Sequence, residues 1–273
     1  MHKDSLLRIE NTGLWVKNML HMIGTGLSDS DISLGAVEVC KGCEVFAETY
    51  TSAFSEKKLD YLSKIIGKNI LRLGRSDLEE NAGKFLSRAK QKEIALLVGG
   101  DPLIATTHKI LFIDALKLGV EVKVWHSSSI VPAVMGESGL DFYRFGKVCT
   151  IPRFSAHYEP LSFYDALYTN HINNLHSLIL LDYDPESLST LSANKAIENI
   201  EKAEASYKKG VVNPASHVIV LKNLNSESEQ KLFMGIDDVK KLNLKGMITL
   251  ILPAKLTKVE QEAINAMYER YKK

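Results

Sequence analysis

Short apolar runs alternate with segments of helical periodicity along most of the chain. The runs at 19–23, 45–47 and 94–98 are predominantly apolar, which is typical of strands buried on both faces, and 120–125 is predicted as a fourth strand. A helix capped by Ser33 follows the first of these strands. Because strands and helices follow one another at short spacing, the pattern predicts βαβ units and a largely parallel sheet.

The segment between the last two of these strands carries a clear helical stripe. Its members recur at helical spacing and are Ile104, His108, Leu111, Ala115 and Leu118. Gly119 marks the end of the stripe, since glycine readily adopts the left-handed conformation that terminates helices. We therefore predict a helix that starts near Ile104, directly after a glycine-rich turn.

The second half of the chain predicts another α/β layer. The segment 149–162 contains two prolines and no periodicity, and it is predicted as a long loop. Beyond it we predict strands at 177–181, 217–221 and 247–252, alternating with helices at 163–173, 193–208, 236–242 and 258–272. The expected fold class is therefore α/β, with two layers in tandem.

Length and composition agree with two domains of modest size. The chain has 273 residues, of which 45% are hydrophobic and 25% charged, which is ample for a buried core. We predict an N-terminal extension at 1–18, an N-terminal α/β domain at 19–127 and a C-terminal α/β domain at 128–273. The first segment has only Leu14-Trp15-Val16 where a signal peptide would carry its apolar region.

Charge and cysteine content narrow the class of protein. The chain has 34 lysine and arginine residues and 33 aspartate and glutamate residues, so its net charge is 34 − 33 = +1. A charge this small creates no global field that favours a nucleic acid or a membrane as partner. Three cysteines are too few for a disulfide scaffold and suit a reducing compartment. No apolar run approaches the ~18 residues of a membrane-spanning helix, so we expect a soluble, cytoplasmic protein.

Two glycine-rich turns follow predicted strands. Gly24-Thr25-Gly26 is similar to the start of a dinucleotide-binding loop, but Asp29 occupies the position of the third glycine, so a plain tight turn is an equal alternative. Gly99-Gly100-Asp101-Pro102 lies where the carboxyl end of a buried strand opens, which is where α/β sheets bind ligands. Asp101 either accepts hydrogen bonds from a ligand or caps the helix predicted to follow.

Other candidate chemistry is weaker. His126-Ser127-Ser128-Ser129-Ile130 ends the next strand, where the hydroxyl groups bind a ligand or cap the following helix. Cys40-Lys41-Gly42-Cys43 is a C-x-x-C, but Cys149 is distant and no second ligand pair completes a zinc site. The eight histidines show no metal-binding spacing, so no metal is expected.

Several motifs together resemble those of the diphthine synthase family, within the tetrapyrrole methylase superfamily. They are Ile23-Gly24-Thr25-Gly26-Leu27, Phe46-Ala47-Glu48-Thr49-Tyr50-Thr51-Ser52, Gly100-Asp101-Pro102-Leu103-Ile104-Ala105-Thr106-Thr107-His108, His126-Ser127-Ser128-Ser129-Ile130, Phe142-Tyr143-Arg144-Phe145-Gly146 and Leu180-Leu181-Asp182. The resemblance extends from Met19 to about Lys255, in order and at family-like spacing.

The resemblance implies a two-domain fold with mixed, largely parallel sheets and a cofactor cleft between the domains. It implies a homodimer that uses S-adenosylmethionine, releases S-adenosylhomocysteine and methylates the 3-amino-3-carboxypropyl group on a histidine of elongation factor 2, in diphthamide biosynthesis. By position, the cofactor contacts implied are Leu27, Asp101, Ile104, Ser129, Ile130, Leu181, Leu224 and Ile248. No residue is identified as a general base, and no metal or direct nucleic-acid partner is implied.

The sequence departs from the family pattern at two of these positions. Relatives often have an Ala-Arg-Ala-Gly-like turn where this chain has Lys222-Asn223-Leu224-Asn225, and a histidine where Ile248 falls. Two alternatives therefore stay open: a related methyltransferase acting on a porphyrinoid or RNA, and a catalytically silent binding homologue. A nicotinamide-dependent oxidoreductase would rest on Gly24 and Gly26 alone.

Overall fold

Two five-stranded sheets organise the chain within residues 18–51 and 54–268, the part that the structure, a computed structural model, describes. The first sheet contains β1 (Met19–Gly24), β2 (Glu44–Glu48), β3 (Ile70–Leu73), β4 (Ile94–Val98) and β5 (Glu121–Trp125). Its strand order is β3-β2-β4-β1-β5, and every pair is parallel. The parallel sheet predicted for this half is confirmed.

Helices cover both faces of the first sheet, as parallel sheets require. They are α1 (Leu34–Gly42), α2 (Glu56–Ile66), α3 (Ala82–Ala89) and α4 (Lys109–Lys117), with a π-helical turn at Ser76–Glu80. The Ser33 hydroxyl accepts a hydrogen bond from the Ala36 amide, which confirms the predicted N-cap of α1. The elements α2, β3 and α3 were not predicted, because the region 54–91 is mostly charged and its apolar stripes are short.

The helix predicted from Ile104 begins five residues later, at Lys109. The Asp101 carboxylate accepts from the Leu103 amide, the Thr106 hydroxyl donates to the Pro102 carbonyl, and Ala105 has a left-handed φ of 56°. These local bonds hold residues 102–108 in turns instead of a helix. Asp101 therefore caps a turn and not the helix.

The second sheet contains β6 (Cys149–Ile151), β7 (Ser177–Leu181), β10 (His217–Lys222), β11 (Gln230–Gly235) and β12 (Ile248–Leu252). A small two-stranded sheet of β8 (Tyr183–Asp184) and β9 (Ser189–Thr190) follows β7. The helices are α5 (Ile130–Glu137), α6 (Phe163–Ile172), α7 (Ala193–Tyr207), α8 (Ile236–Val239) and α9 (Lys258–Tyr268). β6 occupies the start of the segment predicted as loop.

The strand order of the second sheet is β11-β10-β12-β7-β6. β6 pairs with β7 in parallel, while β10–β11, β10–β12 and β12–β7 are antiparallel. The sequence pattern did not reveal β11, which pairs with β10 as a hairpin. Because only a short turn joins these strands, with no crossover helix, they must run antiparallel. The whole is an α/β fold with one parallel and one mixed sheet.

Each sheet carries apolar clusters on its two faces. In the first, Leu20 and Leu96 belong to one cluster, while Ile23 and Leu97 belong to another. In the second, the cluster containing Ile179 packs against α7, and a separate cluster joins the opposite face to α5 and α9. Truncating such a fully buried leucine to alanine costs about 2–5 kcal/mol.

The domain limits stay predictions. The division at 127/128 falls in the segment between β5 and α5, and the extension at 1–18 lies outside the described residues apart from its last position. No helix among the described residues is long and apolar enough to cross a membrane.

Candidate functional site

The polar turns identified in the sequence meet at one edge of the first sheet. Because β1, β4 and β5 are parallel neighbours, their carboxyl ends lie side by side. Gly24-Thr25-Gly26 follows β1, Gly99-Gly100-Asp101 follows β4, and the segment 126–129 follows β5. This edge brings together five of the predicted cofactor residues: Leu27, Asp101, Ile104, Ser129 and Ile130.

The glycines allow the two turns to touch. Gly26 and Gly100 exchange backbone hydrogen bonds of 3.1 and 3.0 Å, and both have positive φ. A Cβ added to Gly24 would lie 2.6 Å from the Gly100 carbonyl oxygen, and one added to Gly26 would lie 2.1 Å from the Cβ of Asp31. The glycines therefore permit loop-to-loop packing, whatever ligand lies beyond them.

Asp31 ties the first turn to its surroundings. Its carboxylate accepts from the backbone amides of Leu27 (2.9 Å) and Ser28 (3.0 Å), and from the Ser128 hydroxyl (2.7 Å). Burial acts to raise its pKa, but hydrogen bonds from Ser28, Ser128 and the two amides outweigh this effect and lower the pKa to about 2. Asp31 is therefore an anionic anchor for the loops after β1 and β5.

The Lys58 side chain stabilises the same turn. This buried side chain reaches from α2, and its Nζ donates to the carbonyl oxygens of Thr25 (3.3 Å), Gly26 (3.2 Å) and Ser28 (2.9 Å). Burial lowers its pKa to about 8, against the opposing effect of Asp29 and Asp31. A single cation thus satisfies three carbonyl groups of the loop.

Asp101 is the buried carboxylate of the site. It is 5% exposed, its Oδ1 accepts from the Leu103 amide at 3.0 Å, and its Oδ2 lies 2.7 Å from His126 Nδ1. A carboxylate offers about four acceptor positions, so these two partners leave capacity for a ligand. The neighbouring Ile104 is 46% exposed, which leaves an apolar side chain open beside this charge.

Ser129 and Ile130 begin α5. Ser129 is the N-cap residue by backbone conformation, but its hydroxyl makes no capping hydrogen bond. The capping role that the sequence suggested for it is therefore filled by the backbone alone. Ile130 packs against the apolar cluster that contains Leu224.

The remaining predicted residues lie at one edge of the second sheet. β12 is antiparallel to both β7 and β10, so the end of β7 at Leu181, the segment after β10 at Leu224 and the start of β12 at Ile248 share that edge. All three side chains are buried. The Ile248 amide donates to Thr190 Oγ1 at 3.0 Å, so its backbone N–H already has a partner.

One polar contact links the two edges directly. The Asn225 amide Nδ2 donates to Asp31 Oδ2 at 3.0 Å, which joins the segment after β10 to the first glycine turn. Asn223 and Asn225 have left-handed φ values of 49° and 64°, a conformation that asparagine tolerates better than most residues. The segment 222–225, which departs from the family pattern, therefore contacts the first half of the chain through the Asn225 side chain.

Sequence reasoning missed Asp31, Lys58 and Asn225. Asp31 lies in the run Ser28-Asp29-Ser30-Asp31, where nothing distinguishes one carboxylate from the other. Lys58 lies one helical turn before Leu62, on the buried side of α2, so a correct prediction of α2 would have placed it inward. Asn225 carries no signal in a single sequence.

The thiol groups lie away from this site. Burial raises the pKa of Cys40 to about 12 and of Cys43 to about 11, so both are protonated at neutral pH. Cys43 does lie near His21 and Glu93, with potential ligand atoms within 4.8 Å of one another. That group is at the amino ends of β2 and β4, opposite to the edge described above.

Comparison with known proteins identifies the family. The family model described as Tetrapyrrole (Corrin/Porphyrin) Methylases matches residues 19–239. The chain is 38% identical over 211 residues to diphthine synthase of Methanothermobacter thermautotrophicus, across 77% of this chain and 80% of the relative. It is 32% identical over 256 residues to diphthine synthase of Methanocaldococcus jannaschii, across 92% of this chain and 99% of the relative.

A solved structure agrees with these relatives. A crystal structure of diphthine synthase matches with a TM-score of 0.80 and 30% identity, across 92% of this chain and 96% of the other. The fold and the family predicted from the sequence motifs are thereby confirmed. The chain belongs to the diphthine synthase family of the tetrapyrrole methylases, which are S-adenosylmethionine-dependent methyltransferases.

Proposed function

We propose that this chain transfers methyl groups from S-adenosylmethionine to the amino group of the 3-amino-3-carboxypropyl histidine of elongation factor 2. The observation that carries the proposal is the pairing of the two sheet edges through Asp31 and Asn225, with the buried Asp101 at the first edge, in a chain of this family. The family relationship supports the reaction, and the buried carboxylate supports binding of a cationic methyl donor.

The residues at the two edges fit S-adenosylmethionine by their chemistry. Asp101 has acceptor capacity for a hydroxyl or ammonium group, and Ile104 offers an exposed apolar surface. Ser129 retains a hydroxyl without a capping bond. We propose that these three hold the cofactor with Leu27, Ile130, Leu181, Leu224 and Ile248.

The cofactor, when bound, supplies an activated methyl group, so the chain needs to align and desolvate the reactants. Alignment of two reacting atoms is worth up to about 7–11 kcal/mol. The hydrogen bonds of Asp31 and Lys58 hold the first glycine turn in one conformation before any ligand arrives. Rigid loops of this kind contribute to the rate by preorganising the site.

The departures from the family pattern do not require a silent homologue. Leu224 and Ile248 keep apolar side chains at the edge, and the side chain of the following Asn225 still reaches the first half. A cofactor contact made through the backbone at position 224 would survive the change of side chain.

The deciding experiment uses labelled S-adenosylmethionine with elongation factor 2 that carries the unmethylated precursor. Transfer of label to the factor is the expected result. Cofactor binding without transfer to the factor would contradict the proposal and favour the silent homologue. Transfer to RNA or a porphyrinoid but not to the factor would favour a related methyltransferase.

We further propose a homodimer that acts in the cytoplasm, where elongation factor 2 works. In support of a dimer, α4 and its end expose the apolar side chains of Ile113, Leu116 and Leu118, which are 43%, 50% and 40% exposed. Sedimentation equilibrium should give twice the chain mass for the wild type and the single mass for Leu116→Asp. The matched variant Val259→Asp, on the exposed face of α9, should leave the mass unchanged.

A further inference from the structure

A cavity adjoins the candidate cofactor site on the same edge of the first sheet. Its volume is about 240 Å³, which suits one side chain and not a drug-sized ligand. The polar groups that line it are Tyr50, Arg75, Glu79, Thr107, His108 and Asp114. They follow the carboxyl ends of β2, β3 and β4, whereas the predicted cofactor residues of this half follow β1, β4 and β5. The two sites therefore meet at β4.

His108 forms the floor of the cavity and has unused hydrogen-bonding capacity. It is 1% exposed, and neither ring nitrogen makes a hydrogen bond of normal geometry within the described part of the chain. Burial lowers its pKa, although Glu48, the Pro102 carbonyl and Glu79 act in the opposite direction. A buried imidazole without a well-formed hydrogen bond costs free energy, so it points to a ligand that completes its bonding.

Glu48 connects this histidine with the second half of the chain. The carboxylate is fully buried, and it accepts from the amides of Tyr50 (3.1 Å) and Thr51 (3.0 Å). Its charge acts on His108 and also on Tyr183, whose buried hydroxyl has no hydrogen-bond partner among the described residues. Tyr183 is two positions beyond Leu181, a predicted cofactor contact. The charge of Glu48 thus acts on one residue that lines the cavity and on one residue just beyond a predicted cofactor contact.

The rim of the cavity carries both signs of charge. The Arg75 guanidinium lies 5.4 Å from the Tyr50 ring centroid and 3.8 Å from Glu79, and both charged side chains are solvent-accessible. The Thr107 hydroxyl donates to Glu79 at 3.1 Å. A pocket with a guanidinium, a carboxylate and a neutral imidazole matches a zwitterionic amino-acid head.

We propose that this cavity binds the amino-acid end of the methyl acceptor, with Arg75 paired to its carboxylate and His108 accepting the proton of its amine. The inference rests on the proposed function and assigns the acceptor site within it. The acceptor nitrogen uses its lone pair to form the N–C bond while the C–S bond breaks, and that electron pair stays on sulfur. The N–H proton moves to a His108 ring nitrogen, where the charge of Glu48 stabilises the imidazolium, and then to solvent.

The test compares variants in the labelled assay with elongation factor 2 bearing the precursor. His108→Gln should lower kcat about 100-fold or more, as loss of a proton acceptor does, while cofactor affinity by calorimetry stays within twofold. Arg75→Gln should raise KM for the factor about tenfold with little change in kcat. The matched variants His157→Gln and Arg88→Gln, both exposed, should behave like the wild type.

The pH profile separates proton transfer from a structural role. In the wild type, kcat should fall as pH decreases through the pKa of His108, and this limb should be absent in His108→Gln. The charged and titratable groups around His108 are Glu48, Glu79, Arg75, Tyr50 and Asp114, and none of them changes in that variant. An unchanged acid limb in His108→Gln would overturn the proton-acceptor role.

The outcomes for the two proposals are distinct. If the wild type labels the factor but His108→Gln and Arg75→Gln keep wild-type kcat and KM, the acceptor site is wrong and the proposed function stands. If cofactor affinity falls as much as activity in both variants, the cavity serves the cofactor and the inference is also overturned. If the wild type transfers no label, both proposals fail.

Discussion

Asp101 is a buried carboxylate with remaining acceptor capacity, which we propose binds the cationic cofactor. Replacing it with asparagine keeps the shape and one oxygen but removes the charge. We expect Asp101→Asn to weaken cofactor binding about tenfold or more, because a charged acceptor in a buried site is lost. Isothermal calorimetry with S-adenosylmethionine measures this, and Asp60→Asn on the exposed face of α2 is the matched control. Equal affinities in the two variants would remove Asp101 from the cofactor site.

Lys58 offers a second test at the level of one side chain. Lys58→Met keeps the apolar stem and leaves the carbonyl groups of Thr25, Gly26 and Ser28 without their donor. We expect the free energy of unfolding to fall by about 1–3 kcal/mol and cofactor affinity to fall as well. Urea unfolding and calorimetry measure the two effects.

The adjacent lysine provides the control. The Lys57 side chain is 82% exposed, with its Nζ 3.7 Å from Asp29. Lys57→Met should therefore change stability by no more than about 0.5 kcal/mol. If Lys57→Met lowered the free energy of unfolding as much as Lys58→Met, the loss of stability would come from the charge on α2 and not from the buried hydrogen bonds.

At the scale of elements, one carboxylate holds the start of α9 beside the second sheet, in addition to the apolar cluster that α9 joins. Glu260 accepts from the amides of Asp141 (3.0 Å) and Thr257 (2.8 Å), lies 2.8 Å from His176 Nε2 and pairs with Arg144. Arg144 belongs to Phe142-Tyr143-Arg144-Phe145-Gly146, one of the motifs that resemble those of the family. Its contacts in the structure give that motif a role in folding.

This cluster makes stability depend on acid pH. Burial acts to raise the pKa of Glu260, but hydrogen bonds from Thr257, Asp141 and His176 outweigh it and lower the pKa to about 2, from 4.5. A lowered carboxyl pKa contributes stability above the unfolded value, here about 3 kcal/mol, which is lost as pH falls toward the folded value. Urea unfolding of the wild type and Glu260→Gln should therefore differ most near neutral pH, differ less as pH falls below 4.5, and converge only as pH approaches about 2.

The control for this prediction lies on the same helix. Glu262 is exposed on α9, and Glu262→Gln should unfold like the wild type at every pH. A constant difference between wild type and Glu260→Gln across the acid range would contradict the assignment, because the effect would then come from packing and not from the charge.

Elements with strong apolar patterns were predictable, while those held by tertiary contacts were not. The runs behind β1, β4, β7 and β12 were found because these strands are buried on both faces. Polar and apolar residues alternate little along β11, and most of its side chains are half-buried, so its sequence shows no strand pattern. The start of α4 was placed too early, because side-chain hydrogen bonds around Asp101 outweigh the apolar stripe.

At the scale of the whole molecule, Asn225 and Asp31 connect the two sheet edges. Asn225→Asp sets a second carboxylate against Asp31, so we expect cofactor affinity to fall further than in Asn225→Ala, and to recover partly at high salt. Calorimetry at two ionic strengths measures this. The control is Asn213→Asp, since an aspartate can still accept from the Ala215 amide. A deficit that ignores salt would contradict the electrostatic explanation.

The sequence could place candidate residues on strands but could not show how the two halves meet. Asp101 and Ser129 were identified from turns at strand ends, and the structure lays those turns side by side because the sheet is parallel. Leu224 lies near the edge formed by these turns because of the β10–β11 hairpin and the contact between Asn225 and Asp31. Neither feature is visible in the pattern of a single sequence. The sequence places His108 on an apolar stripe, and only the structure shows that its buried imidazole lacks a well-formed hydrogen bond.

The two backbone hydrogen bonds between Gly26 and Gly100 have a consequence for sequence evolution. Gly26 and Gly100 both have a left-handed φ of 66°, and the Gly100 carbonyl oxygen leaves no room for a Cβ on Gly24. A substitution at either Gly26 or Gly100 strains its own turn and disturbs the two backbone hydrogen bonds that both turns share. Across related chains we expect these two positions to be retained together or replaced together, so an alignment of homologues should show them as a covarying pair.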